Sequence, residues 1–147
     1  MPDKETMERA EEDKREGKSP STQAGEFVRE EMHHVREGKH GARSTKQAIA
    51  IGLSKARRSG VKLSAPKKGK APAATRRKAA QDVRRGKSRK KPSQTRARAV
   101  RQALRREGHR AASRKSLSRQ ARGAATRRSA ASRSRAAKKA AATRKKR

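Results

Sequence analysis

The sequence predicts a mostly disordered, all-α chain: a short helical hairpin over about residues 22–59, marginal short helices after it, and a basic tail. Three observations predict this. Ile, Leu, Val and Phe together number 12 in 147 residues, with Phe27 the one aromatic side chain among Phe, Trp and Tyr. Lys and Arg number 46 against 13 Asp and Glu, a formal charge of +33. The larger apolar residues crowd into two stretches, Phe27 to Val35 and Ile49 to Leu53. So little aliphatic surface is expected to leave the ordering entropy, about 1–2 kcal/mol per residue, without enough burial to offset it.

The charge is unevenly placed. Residues 1–37 carry 11 of the 13 acids and seven bases. Residues 38–147 carry 39 bases and two acids, Asp82 and Glu107, a net +37. This reads as an acidic head on a polycationic body, which repels itself until an anion neutralises it. There is no cysteine, so disulfides and thiolate zinc sites are excluded. No apolar run approaches the roughly 18 residues of a membrane span, and residues 1–18 lack an apolar signal core. A cytoplasmic, nucleoid-associated location is the expectation.

Residues 1–19 are a mixed-charge head, expected to be disordered or frayed. Residues 20–63 hold the hairpin. Its first helix opens on the hydroxyl caps and proline of Ser19-Pro20-Ser21-Thr22. Ala24, Phe27, Val28, Met32 and Val35 then recur at helical spacing, and Gly38 is the stop. Ser44 and Gln47 have the spacing of a capping box. Behind them Ala48, Ile49, Gly52, Leu53 and Ala56 share one helical face, and Gly60 ends the helix with Val61 folding back. The Ile49/Leu53 face is expected to pack on the Phe27/Met32/Val35 face. These five are the predicted structural residues.

Residues 64–72 form a linker. Residues 73–110 hold two short basic helices, because PAATRRKAAQDVRRG (Pro72–Gly86) and PSQTRARAVRQALRREG (Pro92–Gly108) are loose copies of each other. Residues 111–147 are nearly all Ala, Arg, Lys, Ser and Thr and make the tail.

The stretch Lys46–Arg57, KQAIAIGLSKAR, resembles the core KQAIAIxLSxAR of small basic bacterial proteins in an uncharacterised family. The resemblance implies no enzymatic activity. The tail is similar in composition to histone-like Lys/Arg/Ala tails.

Paired bases recur along the body: Arg57 and Arg58, Lys67 and Lys68, Arg76 and Arg77, Arg84 and Arg85, Lys90 and Lys91, Arg105 and Arg106, Arg127 and Arg128, Lys138 and Lys139, and Lys145 and Lys146. Such pairs neutralise phosphates and release condensed counterions, which supplies most non-specific affinity for nucleic acid. These are the candidate nucleic-acid-binding residues. Solubility alone would not require 39 bases against two acids. No zinc finger, basic zipper or RNA-recognition motif is present to read base edges. Beyond residue 38 only His40 and His109 have aromatic rings, so single-strand stacking is disfavoured and duplex DNA is the expected partner over RNA.

Glu30 and Glu31 each precede a histidine by three residues, His33 and His34. A metal site at that spacing needs ligands from partner helices, and the sequence identifies none. No catalytic residue, cofactor or metal is expected, since no serine has a paired base on a rigid scaffold. The expected function is non-enzymatic, largely sequence-independent DNA binding of a histone-like kind. The alternatives are an RNA-binding or ribosome-associated accessory protein, and an adaptor that uses the acidic head. A second copy of the chain is a candidate partner of the hairpin.

Overall fold

The computed structural model describes residues 2–86, 88 and 93–145. Among them are seven α-helices and no strand: α1 (Lys4–Arg15), α2 (Pro20–Arg36), α3 (Thr45–Arg58), α4 (Ala73–Gly86), α5 (Gln94–Arg105), α6 (Arg114–Thr126) and α7 (Ala130–Lys145). A 3-10 turn at Arg110–Ala112 follows α5. The chain divides into two units, Met1–Ser113 and Arg114–Arg147.

The all-α class agrees with the sequence, but the expectation of a mostly disordered chain does not hold. The head folds as α1, and the tail carries α6 and α7. A count of large aliphatics undervalues alanine, which has the highest helix propensity and lets helix backbones approach closely. Local signals add to it. Ser19 accepts from the Thr22 amide, Ser44 from the Gln47 amide and Ser93 from the Arg96 amide. The Gln47 carboxamide oxygen accepts in turn from the Arg43 amide at 2.7 Å, one residue before the expected partner of a capping box.

Helices α1, α2 and α3 end in the same way. Gly17, Gly38 and Gly60 take positive φ, and the amide beyond each donates to a carbonyl of the last turn: Lys18 to Asp13, Lys39 to His34, Val61 to Ala56. Each helix thus turns sharply into the next element.

The core of the first unit is built from one ring and many small side chains. Phe27 is fully buried in a cluster with Ala10 of α1, Ala24 of α2 and Ala56 of α3, and Leu53, Val61 and Leu63 close its edge. Met32 and Val35 are also buried. The hairpin of α2 and α3 is therefore real, and Leu53 packs on the Phe27 cluster as expected, but the centre of the seam is made of smaller residues. Thr45, Ala48, Gly52 and Ala56 are the buried stripe of α3, while Ile49 and Leu53 are half-buried flanks. A Cβ at Gly52 would lie 2.7 Å from the Val28 Cα, so that position has room for glycine alone.

The remaining elements of the unit are pinned by single polar groups. The hydroxyl of Ser54 donates to the buried Asp82 carboxylate at 2.7 Å, and Arg58 Nε lies 3.8 Å from its other oxygen, which fastens α4 to α3. The end of α5 is tied to the loop after α2, where the Gly41 and Ala42 amides donate to the Leu104 and Gly108 carbonyls. Thr45 donates its hydroxyl to the Ala111 carbonyl at 2.6 Å, and Arg36 donates to the Ala112 carbonyl. Ala111 and Ala112 are buried, so the first unit extends past the expected tail start, to Ser113.

In the second unit neither α6 nor α7 buries a residue. Their helicity rests on alanine and on local caps, such as Ser129, which accepts from the Ser132 amide.

Candidate nucleic-acid interface and a buried charge cluster

Basic side chains on α4 to α7 are carried outward by the helices that hold them. Arg77, Arg84, Arg85, Arg105, Arg106, Arg127, Arg128, Lys138, Lys139 and Lys145 are exposed, as are Arg58, Lys67 and Lys68 nearer the hairpin. Arg76 is half-buried. Lys90, Lys91 and Lys146 lie outside the described residues. On α6, Lys115, Arg119 and Arg122 follow one another at helical spacing and share one face with Ser118 and Thr126. On α5, Arg98, Arg101 and Arg105 share a face that adjoins the stripe of Ala97, Val100 and Leu104. The basic residues of α7 fall on all its sides.

Arg57 differs from the rest. It is buried, its Nε donates to the Leu63 carbonyl at 3.2 Å, and burial lowers its pKa against a smaller opposing pull from Asp82. Its position is that of a structural cation tying α3 to the segment that follows it.

The two acids of the basic region are used up inside the fold. Asp82 is buried against Ser54 and Arg58, and Glu107 is half-buried with Arg43 Nε 3.7 Å away. Neither offsets the positive charge that α4 to α7 turn to solvent.

The acids of the head are organised otherwise. Arg9 pairs with Glu5 and Glu26, and Lys18 with Asp13 and Glu16. A third group is buried where α1, α2, α3 and the loop after α2 meet. Glu31 has no exposure, and Glu30 is nearly as enclosed. The Lys55 ammonium reaches from α3 to lie 2.9 Å from Glu30 Oε1 and 2.8 Å from Glu31 Oε2. Burial is the largest single effect on Lys55 and lowers its pKa, but the two carboxylates together outweigh it and leave the pKa raised.

Two histidines complete this cluster. His34 Nε2 lies 3.0 Å from Asp3 Oδ2, and this hydrogen bond holds the Asp3 pKa below its usual value. His40 Nε2 lies 3.1 Å from Glu31 Oε1, and its Nδ1 lies 3.0 Å from the Gly41 carbonyl. The rings stand edge to face with centroids 6.1 Å apart. Donor atoms of Glu31, His34 and His40 lie within 4.8 Å of one another, as do those of Asp3, Glu30 and His34.

Sequence reasoning singled out the Glu31–His34 spacing but found no partner for it. The partners come from Asp3, His40 and Lys55, up to 31 residues away. The one local signal was the pair of adjacent acids on an otherwise apolar helical face. Among the described residues, no helix is long and apolar enough to cross a membrane.

No curated protein and no solved structure matches the chain. Residues 15–69, from the end of α1 through the α2–α3 hairpin to just before α4, match a family of unknown function (DUF6496), and this stretch takes in Glu30, Glu31, His34, His40 and Lys55 but stops short of the basic helices.

Proposed function

We propose that this protein is a non-enzymatic DNA-binding protein of the bacterial nucleoid, gripping the duplex backbone through α4 to α7 with little regard to sequence. One observation carries the reading: residues 38–147 hold 39 bases and two acids, of which Asp82 is buried and Glu107 half-buried beside Arg43. Phosphate neutralisation of this kind needs exposed cations on separate short helices, and no readout element. The α2–α3 hairpin serves as the folded centre of the first unit and as a site for a second copy of the chain.

Salt dependence tests it. With about ten phosphates neutralised together, log K against log[salt] falls with a slope near −9 for duplex DNA. Truncation after Ser113 removes α6 and α7 and is expected to weaken binding at least a hundredfold at low salt. A slope near zero refutes the reading, as does one tight site amid weak binding to random DNA. Tighter, steeper binding to structured RNA would move the protein to the RNA-associated class.

A further inference from the structure

We propose that Glu31, His34 and His40 form a binding site for one divalent transition cation of the zinc class. Asp3 orients His34, and Lys55 balances the remaining charge. This goes beyond the nucleic-acid reading and does not depend on it.

The first support is the way the rings are held. His40 Nδ1 faces the Gly41 carbonyl and His34 Nε2 faces the Asp3 carboxylate, each at 3.0 Å. An oxygen acceptor at those nitrogens fixes the N–H there. In the neutral ring the lone pair then sits on the other nitrogen. That is the arrangement of metal-ligating histidines, whose outer nitrogen donates to a carbonyl or carboxylate while the inner one binds.

The second support is Glu31. Its carboxylate is fully buried, and neither oxygen has a hydrogen bond of acceptable geometry. Oε2 has only the ion contact with Lys55, and Oε1 faces His40 Nε2 at 3.1 Å. With its lone pair on Nε2, His40 faces that oxygen unfavourably, and the one positive charge beside it, Lys55, is shared between Glu31 and Glu30. A buried ion is costly without full compensation.

The third support is the charge count. Asp3, Glu30 and Glu31 bring three negative charges and Lys55 one positive, so neutral histidines leave two negative charges in the cluster. One divalent cation removes both. Two imidazole nitrogens and one carboxylate oxygen are a donor set that zinc accepts, with bonds of about 2.0–2.2 Å. Tetrahedral donors at that radius stand about 3.4 Å apart. The present spread, within 4.8 Å, closes to this by small shifts of the two imidazole rings, which are 12% and 17% exposed.

The experiment uses the full chain, freed of nucleic acid at high salt and stripped with a chelator. Zn²⁺ is titrated by calorimetry, and Co²⁺ by its visible absorption. One ion per chain is expected, with visible bands of low-symmetry nitrogen–oxygen coordination. His40→Gln and His34→Gln are each expected to weaken binding at least tenfold, and His33→Gln, at an exposed neighbour on α2, to leave it unchanged. Glu31→Gln is a further variant, counted only if its circular dichroism matches the native chain. Absence of stoichiometric binding overturns the proposal. So does equal binding by His40→Gln, His34→Gln and His33→Gln. A chain that binds no Zn²⁺ but gains stability below pH 6 through His34 and His40 neutralises the cluster with protons, and that result too overturns it.

Discussion

The α1–α3 region and the α6–α7 region are both helical, and they are helical for opposite reasons. In the first, Phe27, Val35, Ala24, Ala48 and Ala56 are fully buried, and the helices exist because they cover one another. In the second, 13- and 16-residue helices bury nothing. Their order is local, set by alanine and by hydroxyl caps, against the repulsion of like charges along each helix. Tertiary burial and intrinsic propensity are separable sources of helix in one chain, and each has its own point of failure.

The largest expected effect breaks the first region alone. Phe27→Ala empties the centre of its core and is expected to cost about 3–5 kcal/mol. Thermal melting followed by circular dichroism should lose the α1–α3 transition while the helix signal of an Arg114–Arg147 peptide, measured separately, stands as the unaltered reference. A shift of under about 1 kcal/mol would show that the ring is not the keystone.

Next comes the seam between α2 and α3. Gly52→Val forces a branched side chain against the Val28 backbone and is expected to cost about 1–3 kcal/mol or more. Leu53→Ala trims a half-buried flank and should cost about 1–2 kcal/mol, below the range for fully buried leucines. Measured side by side in denaturant, the glycine variant should be the less stable. The reverse order would restore the Ile/Leu face as the packing surface. Neither change should alter DNA affinity by more than a few-fold while the chain remains folded.

The smallest effect sharpens the second region. Ala137→Gly in the middle of α7 is expected to lower local helix stability by about 1 kcal/mol and to leave α1–α3 melting unchanged. If the α7 helix signal is indifferent to it, something other than alanine propensity holds that helix.

What was legible in the sequence follows the same division. The limits of α3 were readable because Ser44, Gln47 and Gly60 act within a few residues of themselves. So were the stop at Gly38 and the burial of Phe27, Met32 and Val35. The face of α3 was readable, but its centre was placed on Ile49 and Leu53 because apolar size was taken as the packing signal, and close approach selects for the absence of a side chain, as at Gly52. Helix α1 was missed because its apolar content is only Met7 and Ala10, and its partners are on α2. The inward roles of Asp82 and Arg57, and the gathering of Asp3, Glu31, His34, His40 and Lys55, are long-range. Charge alone marked Asp82 as a stray acid and Arg57 as a phosphate contact, since nothing local tells a solvent-facing ion from an enclosed one.

The enclosure of Lys55 between Glu30 and Glu31 has a practical consequence at the bench. Ionic screening acts on charges that water and counterions can reach, with a Debye length of about 3 Å at 1 M salt. The phosphate contacts proposed for α4 to α7 are of that kind. The Lys55 pairs, with side chains 18%, 3% and 0% exposed, are not. A molar-salt wash should therefore strip bound polyanion from an immobilised sample and leave the α1–α3 hairpin region intact on the resin. Purification under conditions harsh enough to remove the cargo is thus compatible with recovering a folded protein.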